Sequence, residues 1–383
     1  MSWRRPIWIL RMREILVLAA ALLFVACAAA QEDPPFAVQV IAEFDEPWAM
    51  AFLPDGRLLV TEKKGRLRVV TQTGDKSAPI SGVPEVDYGG QGGFGDVAIH
   101  PDFAQNGLIY LSYAEAGDDD TRGAAVARTR LDLEAGALSD IEVIWRQVPK
   151  VTGRGHYGHR LLFADDGYLF ISSGERQKFD PAQDMGSNLG KIVRLTDDGS
   201  VPTDNPFYDN GGVTAEIWSL GHRNPLGIAF DASGQLWNVE MGPRGGDELN
   251  RVIRGKDYGY PTVSNGRHYS GRNIPDHDTR PEFEAPKEWW TPVISPGDFI
   301  IYSGDEFPDW GGDGLIAGLL SQALIRVEFD GDEAEEVVRY DMGKRVRAVV
   351  QGPEGAVWIL EDGLGGRLLK LVSSNAAGDK TAH

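Results

Sequence analysis

Apolar residues along this chain occur in short runs, each of which stops at a turn and resumes as a second apolar run that closes near an acidic residue. Several turns contain Asp-Gly, Asn-Gly or Ser-Gly pairs, which are typical of β-hairpins because glycine tolerates positive φ. The runs that follow alternate or are wholly apolar, as half-buried and central strands are. Copies of this pattern occupy residues 51–62, 97–113, 161–175, 228–240, 307–320 and 349–361.

Six hairpin repeats with room for further strands in each unit are typical of a β-propeller. Long amphipathic helices are not predicted, which argues against α/β barrels and doubly wound sheets. A β-sandwich array or a β-helix is the alternative. We therefore expect an all-β fold, a six-bladed β-propeller of four-stranded antiparallel blades, over residues 31–372. The unequal spacing of the copies predicts insertions on the face that binds ligand.

The two ends of the chain are expected to lie outside the propeller. A cluster of arginines precedes the short apolar run 15–26, and three alanines at 28–30 offer a cleavage site. The run is shorter than the roughly 20 residues that span a membrane. Residues 1–30 are therefore predicted to be a cleaved signal peptide of a periplasmic protein, and residues 373–383 a disordered tail.

Cysteine content and net charge limit the classes of function. Cys27 is the only cysteine and lies in the predicted signal, so disulfide and thiol chemistry are not expected. In the less favoured alternative, residues 24–27 form a lipoprotein box, and membrane contact follows from lipidation of Cys27. The net charge of -19 argues against nucleic acid as a partner, because phosphates require a basic face.

Residues 153–175 carry two histidines and two arginines beside an apolar strand. A histidine is suited to general base catalysis because its unperturbed pKa is about 6.5. A hydrogen-bonded structural histidine is the alternative, as is zinc bound by His156 and His159, although metalloprotease spacing is absent. Upstream, Gln91 sits among five glycines that allow close approach to a ligand or form a flexible connection.

Three arginines and an amide indicate an anion site. Arg223 and Asn224 precede Pro225, which fixes their direction, and a planar cation beside an amide binds carboxylates well. A salt bridge between blades is the alternative. Arg345 and Arg347 face the same side of a predicted strand, where they repel each other unless an anion lies between them. The sequence thus predicts a site for a polyanion.

The segment 241–250 offers oxygen ligands for a hard cation. The carbonyl groups of Gly242 and Pro243 and the carboxylates of Asp247 and Glu248 are the ligand types that Ca²⁺ prefers. Together with the arginines and His156, they predict a polyanion, a hard metal ion and one base in a central cavity. Redox chemistry at such a site requires a cofactor.

The chain is identified as a member of the soluble pyrroloquinoline quinone (PQQ)-dependent aldose sugar dehydrogenases, in the glucose/sorbosone dehydrogenase group. The motifs that carry the resemblance are GQGGFGDVAIHPDF, HYGHRL, GHRNPLG, MGPRGGDELN followed by DYGYP, and RVRAVV. The resemblance implies a six-bladed propeller that oxidises aldose sugars at the anomeric carbon to lactones. Hydride passes to PQQ with the help of Ca²⁺, and an external acceptor then takes the electrons.

The resemblance also implies roles for individual residues. His156 is the base that takes the proton of the anomeric hydroxyl. The carbonyls of Gly242 and Pro243 hold the Ca²⁺ at the quinone, and Glu248 and the Tyr258 carbonyl hold a second, structural Ca²⁺. Arg160 is expected to face the cofactor edge or to pack locally. The matching cofactor contacts are Gln91, Arg223, Asn224, Arg345 and Arg347.

Two departures from the family pattern are visible. A family lysine that reaches the cofactor is replaced near Ser321 and Gln322, and Gly155 stands where some members have an acid that orients the histidine. The competing functions are a calcium-dependent hydrolase of the lactonase type and a non-catalytic binding propeller. The hydrolase predicts a cage of acidic ligands, and the binding propeller gives His156 no role.

Overall fold

Six antiparallel sheets follow one another along the chain in the computed structural model, which describes residues 34–374. The predicted signal peptide, Cys27 and residues 375–383 lie outside the described residues. The strands are β1 (Phe36–Asp45), β2 (Pro47–Phe52), β3 (Leu58–Glu62), β4 (Arg66–Val70), β5 (Phe94–Ile99), β6 (Leu108–Ala116), β7 (Arg122–Asp132), β8 (Ala137–Arg146), β9 (Gly158–Phe163), β10 (Leu169–Ser173), β11 (Lys191–Leu195), β12 (Ile217–Leu220), β13 (Pro225–Phe230), β14 (Leu236–Glu240), β15 (Asp247–Val252), β16 (Glu288–Trp290), β17 (Pro296–Ile301), β18 (Gly314–Gly318), β19 (Ala323–Asp330), β20 (Glu333–Asp341), β21 (Val346–Gln351), β22 (Val357–Glu361) and β23 (Leu364–Ser373).

Helical structure within residues 34–374 is limited to short segments. One α-helix, α1 (Phe103–Asn106), connects β5 to β6. The 3₁₀ segments are Asp180–Ala182, Tyr208–Asn210, Gly212–Glu216, His277–Thr279 and Pro308–Trp310. A search of these described residues finds no helix with the length and hydropathy to cross a membrane.

The sheets confirm the predicted six-bladed propeller. Blade 1 is β2-β3-β4, blade 2 runs from β5 to β8, blade 3 from β9 to β12, blade 4 from β13 to β16, blade 5 from β17 to β20, and blade 6 is β21-β22-β23-β1. Each predicted repeat contributes to the first hairpin of one blade. Five blades have four strands. In blade 1 the fourth position is taken by residues 76–80, which bridge to β4 without forming a regular strand.

The N-terminal strand closes the ring. Strand β1 pairs with β23 from Phe36 opposite Ser373 to Asp45 opposite Leu364, so the two ends of the propeller lie in the same blade. Because β23 extends to Ser373, the propeller includes the first residue of the predicted tail. Pairing of the chain ends makes closure depend on both termini.

Hydrophobic packing joins neighbouring blades. Six clusters of buried side chains each combine residues of two consecutive blades, including the pair formed by blade 6 and blade 1. For example, Trp358 of blade 6 packs with Leu58 and Val60 of blade 1. The inner strands β2, β5, β9, β13, β17 and β21 also contact one another in sequence around the axis. The central site is therefore built on rigid strands.

Candidate active site

In four blades, a buried glutamate lies at the end of the second strand or just after it, where it accepts hydrogen bonds from neighbouring segments. Glu62, Glu175, Glu240 and Glu361 are each no more than 2% exposed. Each carboxylate accepts hydrogen bonds from a neighbouring loop or strand, as Glu240 does from the backbone N of Arg223 at 2.6 Å. The repeated acid was visible in the sequence as the end of each hydrophobic run. Its structural meaning is to fix the loops that enter the inner strands.

His156 is held from two sides. Its backbone N donates to Gln91 Oε1 at 2.7 Å, and its Nδ1 lies 2.5 Å from Glu175 Oε1. The second oxygen of Glu175 accepts from the backbone N of Lys178 and of Phe179. An ionised carboxylate accepts hydrogen bonds only, so Nδ1 carries the proton and Nε2 is left as the basic nitrogen. His156 has a φ of 50°, a strained conformation that these contacts stabilise.

The electrostatic surroundings keep His156 neutral. Burial lowers the pKa of His156, the charge of Arg223 lowers it further, and the Glu175 carboxylate opposes both. Burial also disfavours ionisation of Glu175, but its hydrogen bond with His156 and the donors around it hold its pKa below the usual value. A neutral histidine beside an ionised glutamate is the protonation state that a general base requires.

Arg345 and Arg347 share a carboxylate that sequence reasoning missed. Arg345 Nε lies 2.8 Å from Asp362 Oδ2, and Arg347 Nη2 lies 2.8 Å from Asp362 Oδ1. Burial lowers the pKa of Arg347, and Asp362 opposes this effect. The anion expected between the arginines is thus supplied in part by Asp362. One acid does not balance two arginines, so the pair retains positive charge.

A cavity of about 260 Å³ lies beside these arginines. Its apolar lining includes Trp48, Leu226, Met241 and Leu319. Its polar lining includes Glu46, Lys63, Gln91, His159, Asn224, Arg345, Arg347 and Asp362. Asn224 Oδ1 accepts from the backbone N of Gly158 at 3.1 Å, which fixes the amide group. We call this space the axial cavity.

A second cavity of about 300 Å³ lies next to the axial cavity, because successive residues of the segments 156–157 and 223–224 line the two spaces. We call it the vestibule. Its base contains His156, Glu175, Arg223 and Pro243. Its walls carry Gln177, Phe179, Tyr260, His268, Tyr269, Ser270 and Arg272. Most of these wall residues belong to the long connection between β15 and β16, which is an insertion within blade 4.

Arg223, a member of the predicted anion site, also contacts the segment that carries the predicted metal-binding carbonyls. Its Nη1 donates to the carbonyl of Met241 at 2.7 Å and to that of Gly242 at 2.5 Å. Its Nε is buried and has no hydrogen-bond partner among the described residues. An unpartnered guanidinium nitrogen is costly unless a ligand satisfies it. Arg223 therefore keeps one buried guanidinium nitrogen without a partner in the described chain, next to the Gly242 carbonyl that its Nη1 contacts.

Asp247 supports the loop that carries the predicted metal-binding carbonyls. Its Oδ1 accepts from Gly242 N at 2.9 Å and its Oδ2 from Ser295 N at 2.6 Å. Burial raises the pKa of Asp247 to about 6, and these N–H groups oppose the rise. A side chain at Gly242 would lie 1.8 Å from the carbonyl oxygen of Gly246. The close backbone packing thus requires glycine at this position.

Glu248 and the Tyr258 carbonyl lie in a second buried polar region. Burial and the nearby charge of Glu240 raise the pKa of Glu248 well above its ordinary value. Asn250 Oδ1 is buried here without a hydrogen-bond partner in the described chain. The Tyr258 carbonyl contacts His277 Nε2 at 3.2 Å. A divalent cation relieves repulsion between carboxylates and satisfies amide oxygens, so the donor set fits Ca²⁺.

Arg160 does not line the axial cavity but packs beneath its lining, with its guanidinium 4.2 Å from the centroid of the Trp48 ring. It is 4% exposed, donates to the carbonyls of Leu226 at 2.7 Å and Gly297 at 2.6 Å, and pairs with Asp96 and Asp298 at 3.4 Å each. We call Asp96, Arg160 and Asp298 the axis cluster. Of the two expectations for Arg160, its contacts agree with local packing, and it is absent from the cavity lining.

His156 and His159 face different surroundings, which does not favour a shared zinc ion. His159 packs on Trp48 with ring centroids 5.0 Å apart, and its buried Nδ1 has no described partner. Burial, followed by the charge of Arg160, lowers the pKa of His159 to about 3. Within residues 34–374, no group of three or more His, Cys, Asp or Glu side chains is arranged to hold a metal ion.

Comparison with known proteins places this geometry in a family. The family profile described as Glucose / Sorbosone dehydrogenase matches residues 44–370. The chain belongs to the glucose/sorbosone dehydrogenase family. It is similar to the Escherichia coli aldose sugar dehydrogenase YliI, with 42% identity over 345 residues that cover 88% of this chain and 93% of that protein.

Two solved structures of the family resemble the propeller. The soluble aldose sugar dehydrogenase of Escherichia coli in its apo-form gives a TM-score of 0.84 at 42% identity, over 88% of this chain and 99% of that one. The PQQ-bound aldose sugar dehydrogenase of Streptomyces coelicolor gives 0.73 at 27% identity, over 88% and 99%. Membership of the family supports dehydrogenase activity on sugars.

The family departures noted in the sequence have structural counterparts. The β18–β19 turn carries Leu319 into the axial cavity lining, whereas Ser321 Oγ is buried and has no described partner. Gly155 provides no acid, but Glu175 orients His156 from the end of β10. Lys63, which sequence reasoning missed, lines the same cavity. Its sequence signal was weak because Lys63-Lys64 resembles an ordinary charged turn.

Glu175→Gln is expected to lower kcat by roughly 10- to 100-fold, because the neutral amide has a single acceptor oxygen, which cannot serve both His156 Nδ1–H and the backbone N–H groups of Lys178 and Phe179. The carboxylate raises the pKa of His156 against burial, so its removal moves the acid limb of the kcat profile to lower pH. The pH dependence of kcat measures both effects. If kcat falls but the acid limb of the profile does not move, the Glu175 carboxylate does not raise the pKa of His156. Glu142→Gln, on the exterior of blade 2, is the control.

Proposed function

We propose that the protein is a PQQ-dependent aldose sugar dehydrogenase that acts outside the cytoplasm. The observation that carries the proposal is the His156–Glu175 pair at the junction of the axial cavity and the vestibule. It places one neutral base beside a cationic cavity suited to a planar polycarboxylate. The Streptomyces relative was solved with PQQ bound, which supports the same cofactor here.

The axial cavity fits PQQ chemically. Arginine side chains form bidentate contacts with carboxylates, and Arg345 and Arg347 line this space with a net positive charge. Trp48, Leu226 and Met241 provide flat or apolar surface for a ring system. Gln91 and Asn224 add amide groups at the rim. When bound, PQQ would supply a two-electron acceptor for hydride.

His156 removes a proton in the proposed reaction. Oxidation of an aldose to a lactone takes a hydride from C1 and a proton from the C1 hydroxyl. The proton goes to His156 Nε2, and Glu175 stabilises the resulting imidazolium. A bound PQQ would supply the acceptor for the hydride. Phe179, Tyr260 and Tyr269 in the vestibule present ring faces on which a sugar packs.

Calcium is proposed at two places. The carbonyls of Gly242 and Pro243 would hold the ion that polarises the cofactor, with Asp247 fixing their loop from below. Arg223 also donates to the Gly242 carbonyl, so it shares that oxygen with the cation. Glu248 and the Tyr258 carbonyl would hold the structural ion, where the unpartnered Asn250 Oδ1 adds an oxygen ligand.

The hydrolase alternative lacks a matching ligand set in the described part of the chain. A lactonase-type site predicts a cage of acids around a metal, whereas no such group of three side chains is found between residues 34 and 374. The binding-propeller alternative leaves the His156–Glu175 pair without a purpose. Both alternatives predict that aldose oxidation does not occur.

Aldose-dependent dye reduction tests the proposed function. Purified protein is expected to reduce the dye only when PQQ and Ca²⁺ are both added, because the chain supplies no redox centre of its own. Removal of Ca²⁺ with a chelator is expected to abolish the activity, and added Ca²⁺ to restore it. Absence of activity over a panel of aldoses with cofactor bound would contradict the proposal.

Export and electron transfer complete the proposed role. The N-terminal arginines and apolar run of the sequence support a cleaved signal peptide and a periplasmic location, with lipidation of Cys27 as the less favoured alternative. An external acceptor takes the electrons after each turnover. N-terminal sequencing and mass measurement of the exported protein distinguish cleavage before Gln31 from lipidation of Cys27.

A further inference from the structure

Lys63 is a cation of the axial cavity that lacks an acidic partner. It follows β3 directly and lines the cavity with Arg345 and Arg347. Among the described residues, no carboxylate oxygen lies within ion-pair distance of its Nζ. This atom contacts the Gly90 carbonyl at 3.0 Å and lies 5.8 Å from the centroid of the Tyr88 ring. Its neighbour Lys64 pairs with Asp45 at 3.3 Å and Glu46 at 3.4 Å. Only one of the two adjacent lysines is thus paired with acids.

The backbone holds Lys63 in place. Its N donates to the Glu46 carbonyl at 2.9 Å, and its carbonyl accepts from Phe94 N at 2.8 Å. The residue therefore bridges blade 1 to the inner strand of blade 2. Such a fixed backbone reduces the entropy lost when a side chain binds a ligand. The position suits a binding residue better than a mobile surface charge.

Lys63 and Arg347 lie close enough to repel each other. Burial lowers the pKa of Lys63, the charge of Arg347 lowers it further, and Glu46 and Asp362 oppose the change. Arg347 is also repelled by Arg160 and Arg345, and its ion pair with Asp362 opposes this repulsion. An anionic group bound between Lys63 and Arg347 reduces this repulsion between cations.

The β18–β19 turn, which also contributes to the cavity lining, has no cation. The β18–β19 turn, residues 319–322, consists of two leucines, a serine and a glutamine, of which Leu319 reaches the lining. Resting on the proposed function, we propose that Lys63 binds a carboxylate of PQQ. Lys63 then acts with Arg345 and Arg347 as the third cation of the axial cavity.

PQQ titration of the full-length protein tests the assignment, with quenching of tryptophan fluorescence as the readout because Trp48 lines the cavity. Lys63→Met is expected to raise Kd for PQQ by about 10- to 100-fold, the effect of losing a charged hydrogen bond. The Kd of the wild type is expected to rise more steeply with ionic strength than that of the variant. Lys64→Met is the matched control, with an expected change of less than about fivefold.

Two further variants separate charge from support of the Gly90 loop. Lys63→Arg keeps the charge and is expected to retain most of the affinity, whereas Lys63→Gln keeps a donor for the Gly90 carbonyl but is expected to bind as weakly as Lys63→Met. Wild-type affinity in Lys63→Gln or in Lys63→Met overturns the assignment of Lys63 alone. Absence of saturable PQQ binding in the wild type overturns the proposed function together with it. Circular dichroism melts verify that each variant is folded.

Discussion

His156→Ala is expected to lower kcat by roughly 10²- to 10⁴-fold, the usual contribution of a positioned general base. The side chain lies between two cavities, and Glu175 fixes its tautomer. Because the hydrogen bonds from His156 to Gln91 use the backbone N, the loop is expected to survive the substitution. PQQ binding should therefore change little while turnover is lost.

Steady-state kinetics with dye reduction and a separate PQQ titration distinguish these effects. In the wild type, activity is expected to fall as the pH drops through the pKa of His156, below about 6.5, because burial and Arg223 lower that pKa. His100→Ala is the control, since His100 lies outside both cavity linings and contacts Asn106. Normal turnover by His156→Ala would falsify its role as the base.

Arg160→Met is expected to lower the free energy of unfolding by about 3–5 kcal/mol. Arg160 compensates two carboxylates of the axis cluster that lie far from water. Each carboxylate also accepts from the next blade, Asp96 from Leu161 N at 2.9 Å and Asp298 from Val349 N at 3.1 Å. Loss of the guanidinium leaves these charges buried without compensation.

The pH dependence of this loss follows from the protonation of Asp298. Burial raises the pKa of Asp298 to about 7, against an unfolded value of 3.8, so its ionisation lowers stability as the pH rises through this window. Without Arg160, ionisation of the buried Asp298 carboxyl costs more free energy. The free energy of unfolding that Arg160→Met loses should therefore be larger at about pH 8 than at about pH 5. Denaturant unfolding at both values measures it. Arg130→Met, on the exterior of blade 2, is the control, and a deficit independent of pH would contradict the account.

The fold was predictable because one local pattern is repeated. Every hairpin carries its own turn residues and alternation, so six blades could be counted from sequence. Blade 1 departs from the pattern, since residues 76–80 include Pro79, which lacks the N–H donor of a regular strand. The pairing of β1 with β23 joins opposite ends of the chain and has no local signal in the sequence.

The candidate site was predictable where a motif carries the chemistry. His156 and the two arginines at the start of β21, Arg345 and Arg347, were proposed this way. Glu175, Asp362 and Lys63 were missed because their partners are distant in sequence, as in the 15-residue separation of Asp362 from Arg347. Arg160 lies in one of the motifs, yet the direction of its side chain is set by Asp96 and Asp298, which belong to two other blades. Side-chain direction across blades is a tertiary property that residue spacing does not specify.

The most direct test of the central claim is an absorbance titration of the purified protein with PQQ in the presence of Ca²⁺, followed by addition of an aldose. The account predicts saturable binding of one PQQ per chain and reduction of the bound quinone by the sugar. It also predicts that His156→Ala binds PQQ but leaves it oxidised on the same timescale. Absence of saturable binding, or a bound quinone that no aldose reduces, would contradict the account.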